Sequence, residues 1–150
     1  MTTVQPSPGT LAERLNAASL DNHHGWLGFV VSEASPGLIT GVLTVRPDHL
    51  NPAGGLHGGV IASLADSLCG YGSVTSLPVG ASGFTTLALN ATYLGGGRLG
   101  DRLDATARLV RGGRRVQNWA VALTRDADPI AEVAVTQLVL YPRHEASPSS

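Results

Sequence analysis

The chain has 150 residues, of which 43% are hydrophobic and 14% charged, and a formal net charge of -1. That length suits one domain with a sizeable core, since domains typically hold ~100–150 residues. The balanced charge argues against a general nucleic-acid binder, which would show a basic excess; Arg111, Arg114 and Arg115 form only a local cluster.

No apolar run approaches the ~20 residues needed to span a bilayer. The N-terminus lacks the basic and apolar regions of a secretory signal, so a cytoplasmic protein with no membrane partner is expected. The single cysteine, Cys69, cannot form an intrachain disulfide, which fits a reducing compartment. It reads as a small buried hydrophobe rather than a nucleophile. Asn90-Ala91-Thr92 matches a glycosylation sequon, which means little without a secretory route.

In chain order, residues 1–9 hold Pro6, Pro8 and Gly9 and are expected to be loosely ordered. Thr10-Leu11-Ala12-Glu13 has capping-box spacing and starts a short helix to about Ala18, packed on an edge of the domain. Asp21-Asn22-His23-His24-Gly25 is turn chemistry. Paired histidines invite a metal, yet no acidic or cysteine partner stands at ligand spacing. They read as loop histidines facing solvent or substrate, and no metal site is expected. This segment, 1–24, precedes a domain over 25–142, with a disordered tail over 143–150.

Residues 27–34 and 38–46 read as a hairpin around Ser35-Pro36-Gly37. Residues 47–55 break regular structure. A helix follows over about 56–74, where Val60, Ile61, Leu64, Ala65 and Leu68 recur at three- and four-residue spacing on one face. Asp66 falls off that stripe. Ser63 and Gly70 lie one turn away, so this acid sits among residues too small to shield it from something packed close. Gly58 and Gly59 mark the first turn, whose free N–H groups and positive dipole end favour an anion or a developing oxyanion.

Strand patterns then cover 82–93, 101–111, 114–125 and 130–141. In the second of these, Leu103, Ala105, Ala107 and Leu109 alternate with Arg102, Asp104, Thr106 and Arg108, giving one packed face and one wet face. Gly112-Gly113 suits a two-residue hairpin turn, and Asp126-Ala127-Asp128-Pro129 makes the next. The order of two strands, a long helix and four strands implies an α+β domain in which one antiparallel sheet wraps around the helix. Such a sheet keeps an exposed face and edge strands, so dimerisation is the expected remedy.

On these residues the chain resembles the hotdog-fold thioesterases, specifically the phenylacetate-degradation-type (PaaI-like) acyl-CoA thioesterases, over about residues 25–141. The resemblance is carried by Asn51-Pro52-Ala53-Gly54-Gly55-Leu56-His57-Gly58-Gly59, by the acid eight positions after Gly58, and by Leu89-Asn90-Ala91-Thr92-Tyr93-Leu94. His-Gly-Gly alone is a weak signal; followed at this spacing by Leu64-Ala65-Asp66, in this element order, it is fairly specific. The resemblance implies hydrolysis of an acyl- or arylacyl-coenzyme A by a homodimer or homotetramer. It implies no cofactor, coenzyme A arriving as part of the substrate. Asp66 corresponds to the general base or nucleophile and the Gly58 N–H to the oxyanion donor. Asn51 matches a side chain that helps hold the attacking water or the thioester carbonyl, and Thr86 a hydroxyl that orients the water. His57 positions the loop, with Gly59 beside it at the substrate.

Where relatives often place Pro, Arg or Lys after the Tyr-Leu of the first strand beyond the helix, this chain has Gly95-Gly96-Gly97-Arg98. Arg98, Arg114 and Arg115 are therefore the candidates for the coenzyme A phosphates. Gly95 to Gly100 also matches G-x-G-x-x-G, but a strand pattern follows it, which removes the dinucleotide reading. An aromatic acyl pocket would draw on Phe84, Tyr71 or Trp119, and a straight-chain acyl group fits equally well.

Thioester hydrolysis needs a nucleophile on one side and donors where charge develops on the oxygen, a pre-aimed donor contributing ~2.7–4 kcal/mol. Asp66 lies ~12 Å along the helix from Gly58 at 1.5 Å per residue, too far to share one carbonyl group. The site must then combine Gly58 of one subunit with Asp66 of another. Two rival functions stay open. One is hydration or dehydration of an enoyl thioester, with His57 and Asp66 as acid and base; the other is a non-catalytic acyl-CoA-binding module. No serine elbow, Walker loop or zincin motif offers another enzyme class.

Overall fold

A computed structural model describes residues 9–143. The expected loose start and disordered tail lie, apart from Gly9 and Arg143, outside the described residues. Thr10 caps α1 (Leu11–Ala18): its hydroxyl accepts the Glu13 N–H at 3.2 Å and the Glu13 carboxylate accepts the Thr10 N–H at 2.6 Å. This is the capping box the sequence predicts. From α1 the Asn16 amide donates to the Val31 carbonyl at 2.9 Å and accepts the Val31 N–H at 2.8 Å. One side chain thus pairs the backbone at the outer edge of β1 (Val30–Ser35) as a neighbouring strand would.

Residues 21–25, expected as a turn, instead open α2 (His23–Leu27), which also runs across the expected boundary at 24/25. The turn-forming residues are its caps. Asn22 Oδ1 accepts the His24 N–H at 3.0 Å, and Gly28, at φ 79°, closes the helix in the left-handed region. Five residues are too few to show an apolar period, which is why sequence pattern misses the helix. The first strand accordingly starts at Val30 rather than at 27.

After β1 come β2 (Leu38–Thr44), a 3-10 turn over Pro47–His49, and the long helix α3 (Gly58–Thr75). Four strands follow: β3 (Gly83–Tyr93), β4 (Arg102–Gly112), β5 (Val116–Arg125) and β6 (Asp128–Leu140). All six pair antiparallel in the order β1-β2-β4-β5-β6-β3. The sheet wraps α3, whose Val60, Ile61, Leu64, Ala65 and Leu68 are all buried. Full burial of side chains such as these leucines is worth about 1.5–3 kcal/mol each. Leu103, Ala105 and Ala107 face them from β4, and Trp119, Val121 and Leu123 from β5. Among the described residues no helix is long and apolar enough to cross a membrane.

Helix and sheet pack closely at Gly72, where an added methyl group would overlap the Trp119 ring. Trp119, a pocket candidate in the sequence, is therefore a core residue, 1% exposed. Gly72→Ala is expected to destabilise the fold by about 1–3 kcal/mol through overpacking. A urea unfolding midpoint equal to that of the parent would show that the ring yields without cost.

Two turns differ from expectation. Gly112 still pairs with Gln117, and the Gly113 N–H donates to Val116 O at 2.9 Å, so Arg114 and Arg115 sit in the loop rather than opening a strand. The register of the whole hairpin sets this: Leu109 lies opposite Trp119 and, past a bulge between Leu109 and Arg111 that places one extra residue in β4, Gly112 lies opposite Gln117, which centres the turn on Arg114 and Arg115. In the next hairpin Asp126 and Ala127 alone turn the chain, both at positive φ (49° and 70°), and Pro129 already belongs to β6.

β3 forms the far edge of the sheet. Among the described residues no strand pairs with its outer side, and Leu87, 57% exposed, bulges from it where the register shifts between Thr86 and Ala88.

Candidate active site

The loop that delivers α3 is wound on Asn51, whose Oδ1 accepts the N–H groups of Ala53 at 2.9 Å and Gly55 at 3.2 Å. Asn51 is thus a turn-forming residue, and its Nδ2 is the end left to meet anything else. His49 supports this loop from below. It is fully buried, its Nδ1 accepts the Arg46 N–H at 3.1 Å, and its carbonyl accepts the His57 N–H at 2.9 Å. Burial first, then the Arg46 guanidinium, hold its imidazole below the usual 6.5, so a neutral ring props the loop.

At the helix start His57 acts as the cap, its Nδ1 accepting the Gly59 N–H at 2.8 Å. The ring proton then sits on Nε2. This bond occupies the Gly59 donor, whereas among the described residues no acceptor takes the Gly58 N–H. Tyr93 pins Gly58 from the β3 side: its hydroxyl donates to Gly58 O at 3.0 Å, and its ring would stand 3.1 Å from an added Cβ. A side chain at position 58 would need the half-exposed Tyr93 ring to give by a few tenths of an ångström.

Farther along α3 the half-buried Asp66 accepts, on Oδ1, the Thr86 hydroxyl at 2.8 Å. β3 therefore touches both candidate residues of the helix, Thr86 at Asp66 and Tyr93 at Gly58. Strand side chains reverse face at every residue, so Tyr93, seven positions after Thr86, would ordinarily point away from the helix. The bulge at Leu87 resets the count and brings both onto the inner face.

His24 lies under this region with its ring edge on Tyr71 at 4.7 Å. Burial, and then the charge of His23, lower its pKa from 6.5, while the Asp66 carboxylate pulls the other way. His23 and Trp26 stack at 5.6 Å and line, with Leu50, His57, Gly59 and Ser63, a cavity of ≈ 420 Å³ beside the helix start. Among the described residues no three His, Cys, Asp or Glu side chains are grouped so as to hold a metal ion.

The arginines are not brought together within one chain. Arg98 is exposed next to Gly54, Gly55 and Arg125, around a cavity of ≈ 570 Å³ by the Asn51 loop. Arg114 and Arg115 lie with Gly80 and Tyr141, beyond the other end of α3, the Arg114 guanidinium 5.7 Å from the Tyr141 ring centre.

Sequence reasoning missed a buried polar row behind Thr86, made of Gln137 on β6, Gln117 on β5 and Ser73 on α3. A signal existed. Gln117 opens the inward run Trp119, Val121, Leu123, and Gln137 interrupts the inward run Val133, Val135, Val139; a polar residue in such a period is costly unless bonded.

The thioesterase superfamily model matches residues 53–132 of this chain. Human acyl-coenzyme A thioesterase 13 is 31% identical over 94 residues, which are 63% of this chain and 66% of that protein, just under two thirds of its length. The 1,4-dihydroxy-2-naphthoyl-CoA thioesterase 2 of Arabidopsis thaliana is 35% identical over 123 residues, 77% of this chain and 75% of that one. Among solved structures, smu.793 from Streptococcus mutans UA159 bound to acetyl CoA superposes with a TM-score of 0.71 at 28% identity, covering 78% of this chain and 92% of that one. The antiparallel sheet wrapped around a central helix is the hotdog architecture expected from the sequence.

Proposed function

Because the chain belongs to the thioesterase superfamily, we propose that it hydrolyses the thioester of an acyl- or arylacyl-coenzyme A to a free acid and coenzyme A, within the PaaI-like group. The observation that carries this reading is the Asp66 carboxylate held by the Thr86 hydroxyl, on the same helix whose first turn offers the uncommitted Gly58 N–H. A relative named for a naphthoyl-CoA thioester and a neighbour solved with acetyl CoA support coenzyme A thioesters as the substrate class.

In this mechanism Asp66 takes a proton from water as its oxygen attacks the thioester carbonyl, or attacks that carbon itself. The oxygen gains negative charge and is met by the Gly58 N–H at the positive end of α3. Collapse breaks the carbon–sulfur bond. On the base route the proton taken from water passes from Asp66 to the leaving coenzyme A thiolate. On the nucleophile route the thiolate leaves a mixed anhydride on Asp66, which water then hydrolyses to the free acid, regenerating the carboxylate and supplying the thiol proton. No separate cofactor takes part. Asn51 shapes the loop that aims Gly58, and its free Nδ2 is available to the carbonyl or the water. His57 serves as the cap, and Gly59, its donor engaged, contributes close approach only.

Gly58 and Asp66 of one helix stand ~12 Å apart along its axis, so the site is composite. The unpaired outer side of β3 is the surface for a second copy. Antiparallel self-pairing of β3 about Asn90, with Leu87 bulged, sets Thr86 opposite the partner's Tyr93, and hence Asp66 near the partner's Gly58. The same pairing carries Arg114 and Arg115 of one subunit toward the Arg98 end of the other, where they are candidates for the phosphates. The minimal unit is a homodimer. The outer sheet face, with small Ala120, Ala122 and Ala134 between Arg108 and Glu132, suits association into a homotetramer. A lone buried thiol, Cys69, is compatible with the cytoplasm.

The test is thiol release from a panel of acyl- and arylacyl-CoAs. One thiol per acid formed is expected. Consumption of an enoyl-CoA without thiol release would mark a hydratase instead, and saturable binding without turnover a binding module.

A further inference from the structure

Thr86, Gln137 and Gln117 are cross-strand neighbours on β3, β6 and β5, forming one row on the inner face of the sheet. Ser73 reaches down to this row from α3, two turns beyond Asp66. Gln137 and Ser73 are 0% exposed and Gln117 1%. From the Asp66 end, the Thr86 hydroxyl donates to the carboxylate at 2.8 Å, and Gln137 Nε2 donates to Thr86 Oγ1 at 3.4 Å. The Ser73 hydroxyl contacts Gln137 Oε1 and also stands 2.7 Å from Gln117 Oε1. The Gln117 amide is oriented independently, its Nε2 donating to Ser76 O at 2.9 Å and its Oε1 accepting the Trp119 indole N–H at 3.3 Å.

A hydroxyl carries one proton. Ser73 can donate to only one of the two amide oxygens, and Gln117 Oε1 already has the indole. With the Ser73 proton on Gln137, each bond in the row points the same way: Ser73 to Gln137, Gln137 to Thr86, Thr86 to Asp66. Donors aligned in this manner polarise one another and favour charge at the end of the chain. The Gln137 N–H also occupies a Thr86 lone pair, which leaves the Thr86 proton for Asp66.

We propose, on the thioesterase reading above, that Gln137 is a positioning residue for hydrolysis, acting through Thr86 to keep that hydroxyl proton on Asp66. Methionine matches glutamine in length and cannot donate. Gln137→Met is expected to lower kcat about tenfold with KM within about twofold, the mark of an interaction used in the chemical step. Thr86→Val is expected to lower kcat further. In the Thr86→Val background Gln137→Met should change kcat by less than about twofold, because the two act in one network.

A purely structural Gln137 would lower the urea midpoint and reduce kcat by the same factor in both backgrounds, and that additivity overturns the proposal. Should Gln137→Met fail to fold, Ser73→Ala decides in its place, since it removes the donor behind Gln137 without touching Thr86. Its expected loss of about threefold in kcat should vanish in the Thr86→Val background, and persistence of the loss there overturns the proposal. A parent chain that releases no thiol from the panel defeats the thioesterase reading and this proposal with it; a turning-over parent with an additive cycle defeats Gln137 alone.

Discussion

Asp66→Asn is expected to leave a folded protein whose kcat for acyl-CoA hydrolysis is lower by about 10²–10⁴-fold, the range that a positioned acid–base group supplies. Asparagine keeps the carboxylate's shape, and its Oδ1 can still accept the Thr86 hydroxyl that Asp66 accepts at 2.8 Å. Packing around residue 66 therefore survives while the base is gone. KM should stay within a few-fold, because a group used only in the chemical step contributes little to ground-state binding. Circular dichroism and the urea midpoint check the fold. A purified Asn variant that hydrolyses within tenfold of the parent would remove Asp66 as base or nucleophile and leave the carboxylate as a helix-surface acid tied to β3.

The second large effect is recovery of activity from two dead parents. On the proposed composite site Asp66→Ala removes the base, and Asn51→Ala removes the oxygen that receives the Ala53 and Gly55 N–H groups, unwinding the loop that leads into the helix start. Each variant alone is expected to be nearly inactive. In a mixed dimer one site takes Asp66 from one chain and an intact Asn51 loop from the other, while its twin lacks both. Random exchange makes half the dimers mixed, with one sound site of two, so about a quarter of parental activity should return. A heterodimer isolated by two different affinity tags and found silent would place Asn51 and Asp66 of one chain in one site, against the ~12 Å helical separation of Gly58 and Asp66.

The sequence by itself determined the features that depend on local period. The spacing of Val60, Ile61, Leu64, Ala65 and Leu68 decides which face of α3 is buried, and period-two alternation in β4 decides which of its faces is wet. Thr10 and Glu13 mark the first helix start through a bond between residues three apart. Asp66 stands out as an acid off an apolar stripe, and Gly58 as a glycine at a helix start, because both statements need only the helical repeat. The separation of these two residues is likewise a property of one helix.

Only the tertiary structure decided what meets what. Period tells which way a side chain faces but not which strand lies beside it; sheet order and register are set by packing between segments far apart in sequence. β6 enters between β5 and β3, and that insertion alone makes Gln117, Gln137 and Thr86 a row. One bulged residue, Leu87, turns Tyr93 onto Gly58 while Thr86 keeps its bond to Asp66, a parity that no count along the strand predicts. α2 is legible only from its caps, since five residues carry no period. Arg98 and the pair Arg114 and Arg115 look alike as exposed arginines in the sequence, yet the fold sets them beyond opposite ends of α3, because loops go where the strands that carry them end.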